Sequence, residues 1–353
     1  MKKHIQFLNG LACLFCATLM SANNSNIVEI KLPKVPEVPK VEAVVPQIKM
    51  VITQDGNNSR HTKSTDEIIQ EIMKKKEVKF SNHVAPVIVQ KLDAKDKVVQ
   101  AGDITNGKVA AYLHTDYMSV EEVASKLLAA GFNIKSRFKL DKKGNITSIV
   151  FTNIALIKAA SKPNRGFAAT LRATVDKKDK LVSISNPIYI LKAFLQSDYD
   201  EKLANETLKS LRETFKGAKN SDEMIKFSAL ENFQFMAGMP KYQDMQIISK
   251  GDNTVLLNKA RKSKKLVFEQ KLENKSVLLG VKLGRRTSKF VKKTGYKNAG
   301  LLPYPVLIEE GKVKILDPKY YIAVMYPMLK MSQFMTIATV PGAINKDCDR
   351  IFR

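Results

Sequence analysis

The chain of 353 residues has no tryptophan, three cysteines and four histidines. Aromatic residues make up 7% of it, and its 34 acidic residues are far outnumbered by 59 lysines and arginines. Each shortage excludes something. Cys13 and Cys16 stand in the apolar start, so a processed chain keeps Cys348 alone. One thiol forms no internal disulfide and builds no zinc or iron–sulfur site. His4, His61, His83 and His114 are scattered singly, with no HExxH and no CxxC, so neither a metal nor a cofactor is expected. His114 follows a short strand pattern and reads as an ordinary rim residue.

Catalytic and nucleotide-binding motifs are missing too. Gly280 to Ser288 has two glycines, but three residues separate them and Arg285–Arg286 follow, so it is not a phosphate-cradling loop. No GxSxG or GxGxxG falls between a strand and a helix. Non-catalytic binding or scaffolding therefore leads. A small-molecule binder or enzyme with a site between two domains is the alternative.

What is present begins with a leader. Lys2 and Lys3 precede a mostly apolar run from Leu8 to Met20, and Ala22 suits cleavage. Residues 1–22 read as a signal peptide, too short and interrupted for a transmembrane span. The apolar stretch before Cys13 is short for a lipoprotein signal. A periplasmic location follows, and export disfavours nucleic acid as a partner. Pro33, Pro36 and Pro39 recur every third residue, so residues 23–62 read as an extended polyproline linker. Residues 63–106 form a short helix and strand lead-in, where Ser64–Glu67 resembles a capping box.

The rest is organised around one stretch, Leu181 to Leu195. Val182 and Ile184 alternate with Ser183 and Ser185, as in a half-buried strand. Asn186 then caps a helix whose first residue is Pro187. The device returns at Val313, Ile315, Asp317 and Pro318. The two prolines stand 131 residues apart. The same spacing sets Leu171 on Leu302, Val175 on Val306 and Tyr189 on Tyr320. Phe233–Pro240 resembles Phe334–Pro341 at a shorter offset.

This pattern predicts a tandem duplication within an α+β fold. Each repeat is a small antiparallel or mixed sheet with helices on one face. The first occupies 107–242, with a polar helical insertion at about 200–226. The second occupies 243–345, and 346–353 is a polar tail that makes Cys348 an incidental thiol. Lys142–Asn145 is a hairpin turn in the first repeat.

The order of elements, with Leu301–Pro305, the turn Glu309–Lys312 and Val313–Pro318, resembles the small α+β domains of the domain-of-unknown-function 302 family. The first copy matches through Leu171, Val175 and Ser185–Pro187, while Arg172–Val175 departs from the pattern of Pro303–Val306. The resemblance implies a fold and brings no activity with it.

Charge is uneven along the chain. Residues 107–240 hold 21 basic and 14 acidic residues, and 241–353 hold 23 and 9. An anionic partner is thus expected at the second repeat. Arg285, Lys289, Lys292 and Lys293 fall on one side of an expected helix, with Arg286 beside them, as the candidate anion-binding set. The partner class is an anionic envelope component or an acidic protein, with membrane-surface contact open. Tyr189 and Tyr320, just past the two prolines, are candidates to line a ligand cleft between the repeats.

Overall fold

A computed structural model describes residues 99–353, which fall within one compact unit. The segments expected to be a signal peptide and a proline-rich linker, and most of the expected lead-in, lie outside the described residues.

The first half opens with β1 (Lys108–Ala110) and β2 (Tyr112–Asp116), then helix α1 (Val120–Ala129). Strands β3 (Asn133–Lys139) and β4 (Ile146–Thr152), helix α2 (Ile154–Ala160) and a 3-10 segment at Gly166–Ala169 follow. Strands β5 (Leu171–Asp176) and β6 (Leu181–Ser185) lead into α3 (Pro187–Leu195). Then come α4 (Glu201–Thr214), β7 (Lys219–Asn220) and β8 (Met224–Lys226). The second half holds β9 (Gln246–Lys250), α5 (Asn253–Lys262), β10 (Leu266–Lys271) and β11 (Val277–Val281). After a 3-10 turn at Thr287–Phe290 come α6 (Val291–Thr294) and a 3-10 segment at Tyr296–Leu301. Strands β12 (Tyr304–Glu309) and β13 (Lys312–Ile315) lead into α7 (Pro318–Met325). Helices α8 (Met331–Met335) and α9 (Val340–Asp349) close the chain.

The fold is α+β, and within both large sheets every paired strand is antiparallel. One sheet runs β3-β4-β5-β6-β2-β7 and the other β10-β11-β12-β13-β9. Five strands thus follow one order in both. Asn186 accepts a bond from the Ile188 N–H and Asp317 one from the Lys319 N–H, so α3 and α7 start alike after corresponding strands.

The constant spacing does not hold through the sheets. Val182 faces Val175, whereas Val313 faces Ile308, two residues off that spacing. The β5–β6 turn spans residues 177–180, while β12 and β13 join through Glu310–Gly311 alone. A hairpin loop tolerates such a change because its ends stay paired. Nor do the later stretches match: Phe233–Pro240 holds no helix or strand, whereas Phe334–Pro341 runs from α8 into α9. The insertion is helical only in α4. Its end returns as β7 on the edge of the first sheet and as β8, which pairs with β1.

The expected polar tail is a correction. Residues 346–352 belong to α9 and a closing 3-10 turn, where Cys348, Ile351 and Phe352 are buried. The apolar residues among them pack into the core, and burial pushes the Cys348 thiol well above its ordinary pKa.

Helices do not account for all the cover on either sheet. The segment Tyr296–Leu301 of the second half lies over β4, β5 and β6. Conversely, Gly166–Ala169 of the first half lies over β11 and β12. The approach is close at Gly166, where a Cβ would overlap Leu307 Cδ1 unless that side chain moved. This exchange explains why β4, β5, β11 and β12 are buried along their whole lengths.

The exchanged faces differ in chemistry. Ser148, Thr174, Ser183 and His114 form one cross-strand row on the first sheet. Their hydroxyls, and His114 Nε2, have no hydrogen-bond partner among the described residues. The His114 pKa is lowered by burial and by the nearby Lys297 charge. The matching face of the second sheet presents Leu278, Leu307 and Lys314, which pair in turn.

Candidate anion-binding groove

Two adjoining pockets, of about 460 and 310 Å3, form one groove between the halves. They share Leu140, Asp141, Lys142, Arg285 and Ser288. The first half supplies the β3–β4 hairpin end, which folds as the Lys142–Asn145 turn predicts, and Lys178 of the β5–β6 turn. The second half supplies the run from Arg285 to Tyr296.

Its cations are Lys142, Lys143, Lys178, Arg285, Lys289 and Lys292, all exposed, with Lys139 and Lys282 continuing the wall. Among the described residues none of these eight has an ion-pair partner. The one acid in the lining, Asp141, is already engaged. Its Oδ2 accepts from Asn145 Nδ2 at 3.2 Å and its Oδ1 from the Ile146 N–H at 3.2 Å, bonds that close the hairpin. Phe138, Leu140, Leu283, Leu302 and Tyr296 add apolar surface. The Tyr296 hydroxyl has its pKa raised by burial and by Asp141 and Asp176.

A contrasting pocket of about 350 Å3 lies at the corresponding turn of the second half, lined by Asn164, Arg165, Tyr242, Lys312 and Lys314 among others. There Arg165 pairs with Asp198 at 2.8 Å, and Lys314 with Glu309 at 2.6 Å. Two of its three cations thus have an ion-pair partner within the protein. Uncompensated charge is a property of the first groove rather than of every lysine-rich pocket here.

The five residues expected to bind anions divide. Arg285, Lys289 and Lys292 converge on the groove. Arg286 and Lys293 do not line it, and Lys293 Nζ donates to the Thr336 carbonyl at 2.7 Å. The helical stripe breaks down because no regular helix spans 285–293. A 3-10 turn at Thr287–Phe290 runs into the four-residue α6, with Phe290 and Val291 pointing inward as the core demands. The sequence does not single out the lysines of the first half as site residues. Their only signal was two lysines at a hairpin tip, and nothing in the sequence brings that tip to Arg285.

Tyr189 and Tyr320 do not line a cleft, which corrects the other site expectation. Both are buried, at 0% and 1% exposure. The Tyr189 hydroxyl donates to the Val324 carbonyl at 2.6 Å, and that of Tyr320 reaches the Ala193 carbonyl at 3.5 Å. Each helix thus sends its tyrosine to the end of the other. The Tyr112 hydroxyl donates to the Met325 carbonyl at 2.7 Å. The last carbonyls of a helix have no partner within it, and these phenols satisfy two of them in α7.

Among the described residues no cluster of three or more histidine, cysteine, aspartate or glutamate side chains could hold a metal. No helix there is long and apolar enough to cross a membrane. No family model, curated protein or solved structure matches the chain.

Proposed function

We propose that this chain is an exported, non-catalytic binding or scaffolding protein of the bacterial cell envelope, whose groove between the halves contacts an anionic partner. The observation that carries this reading is the set of uncompensated cations gathered from both halves onto one concave surface. Unpaired like charges repel one another, by about 0.7 kcal/mol per pair at 6 Å in water, and a bound anion relieves that repulsion. The leader supports export. The shared strand order is what supports descent of both halves from one module, and the resemblance to the domain-of-unknown-function 302 family rests on the sequence alone.

The test compares two triple variants of equal net charge on an anionic matrix. Lys142→Gln/Lys289→Gln/Lys292→Gln empties the groove of three charges. Lys216→Gln/Lys250→Gln/Lys259→Gln removes three exposed charges elsewhere. The groove variant elutes at clearly lower salt than the control. Equal elution of the two would mean that net charge alone governs retention, and that the groove is no site.

A further inference from the structure

We propose that the ligand of this groove is a linear acidic polysaccharide, several of whose charges are read at once. The inference rests on the anion-binding reading above and narrows it to one class of ligand.

Three observations point there. First, a single small anion touches two or three cations at most, whereas eight cations against the one carboxylate of Asp141 line these two joined pockets. A chain with a charge on each unit meets successive cations without crowding its own charges. Second, the cations are exposed side chains with no partner among the described residues, so nothing fixes them around a single anion. Such a surface suits a repeating polymer whose charges need no one geometry. Third, the half-buried Phe138, Leu140 and Tyr296 give the cationic walls some apolar lining, with Leu283 and Leu302 buried beneath them. The C–H face of a sugar ring fits such a surface. Single-stranded nucleic acid stacks its bases on exposed aromatic planes, and both rings here, Phe138 and Tyr296, are half-buried. A bilayer is flat and meets only the rim of a concave groove between two halves.

Counterion release gives the binding a measurable signature. Taking a slope of about −0.7 per charge neutralised and about five contacts, affinity falls on the order of 100-fold between 50 and 200 mM salt. Removing two contacts should make the slope shallower by about 1.4.

The experiment titrates the full chain with galacturonate, with oligogalacturonates of increasing length, with dextran, with a thymidine 20-mer and with anionic phosphatidylglycerol vesicles. Affinity should rise at least tenfold from galacturonate to a long oligogalacturonate, and dextran should not bind. Lys289→Gln/Lys292→Gln from one half, and Lys142→Gln/Lys143→Gln from the other, should each lower both the affinity and the salt slope. A thermal melt checks that these surface variants fold. If the oligomer binds no better than galacturonate, or if DNA or vesicles bind as tightly as the oligomer, the polysaccharide inference is overturned while anion binding stands. If no anion in the panel responds to either pair of substitutions, the groove reading falls with it.

Discussion

Lys314→Met tests how the halves are held together. Lys314 Nζ lies 2.6 Å from Glu309 Oε2 and 2.7 Å from Asn164 Oδ1. The side chains of Lys314 and Glu309 are 9% and 4% exposed. Both Glu309 oxygens also accept from the Asn164 N–H, at 3.1 Å each, and the Tyr242 hydroxyl donates to the Asn164 carbonyl. Asn164 belongs to the first half and adopts a φ of 61°, so the pair docks a turn of one half onto a hairpin of the other. Methionine keeps the apolar stem of lysine but leaves the carboxylate buried with only the Asn164 N–H as partner. Breaking one side of a buried pair costs about 3–5 kcal/mol. For a region of this size that corresponds to a fall in Tm of roughly 6–20 °C. In Glu309→Gln/Lys314→Met the amide oxygen still accepts from Asn164 and no buried charge remains, so most of the loss is recovered, to within about 1 kcal/mol of the parent. Urea denaturation of the parent, both single variants and the double gives the coupling directly. A loss below about 1 kcal/mol for Lys314→Met, or a double variant as unstable as that single one, would refute the reasoning.

Three further outcomes are expected. Tyr189→Phe removes a 2.6 Å bond to a helix-end carbonyl and costs about 1–3 kcal/mol, whereas Tyr320→Phe, whose contact is 3.5 Å, costs less than about 0.5 kcal/mol. Equal costs in denaturant melts would contradict this. Thr174→Val replaces an unpartnered buried hydroxyl in the cross-strand row by a methyl of the same shape, so stability is unchanged or rises by about 1 kcal/mol; a loss above 1 kcal/mol shows that the hydroxyl is engaged. Burial alone would raise the Asp347 pKa, but the Thr287 hydroxyl, the Gly284 N–H and Lys265 outweigh it and hold the carboxyl below its ordinary value. A depressed carboxylate stabilises the fold above its unfolded pKa of about 3.9 and loses that contribution as pH falls below it. Melts from pH 6 down to pH 2 should therefore fall less steeply for Asp347→Asn than for the parent, and identical slopes would remove Asp347 from the acid response.

The sequence by itself determined the local elements. Asn186–Pro187 and Asp317–Pro318 each carry a side-chain cap and a preset φ, so the helix starts are written in two residues. Alternation in Val182–Ser185 and Val313–Ile315 marks strands for the same reason, since side chains change face at every residue. Tertiary structure alone decided the rest. Tyr189 reads identically in sequence whether it faces a cleft or a helix end, and only the placement of α7 buries it. Cys348 sits in a polar run, yet the few apolar residues around it seat the end of the chain in the core. Lys142 and Arg285 lie far apart in the chain, and no periodicity spans that distance. They share a groove because each half covers a sheet of the other, and that exchange depends on the close approach of Gly166 to Leu307 and on the pair formed by Glu309 and Lys314 with Asn164.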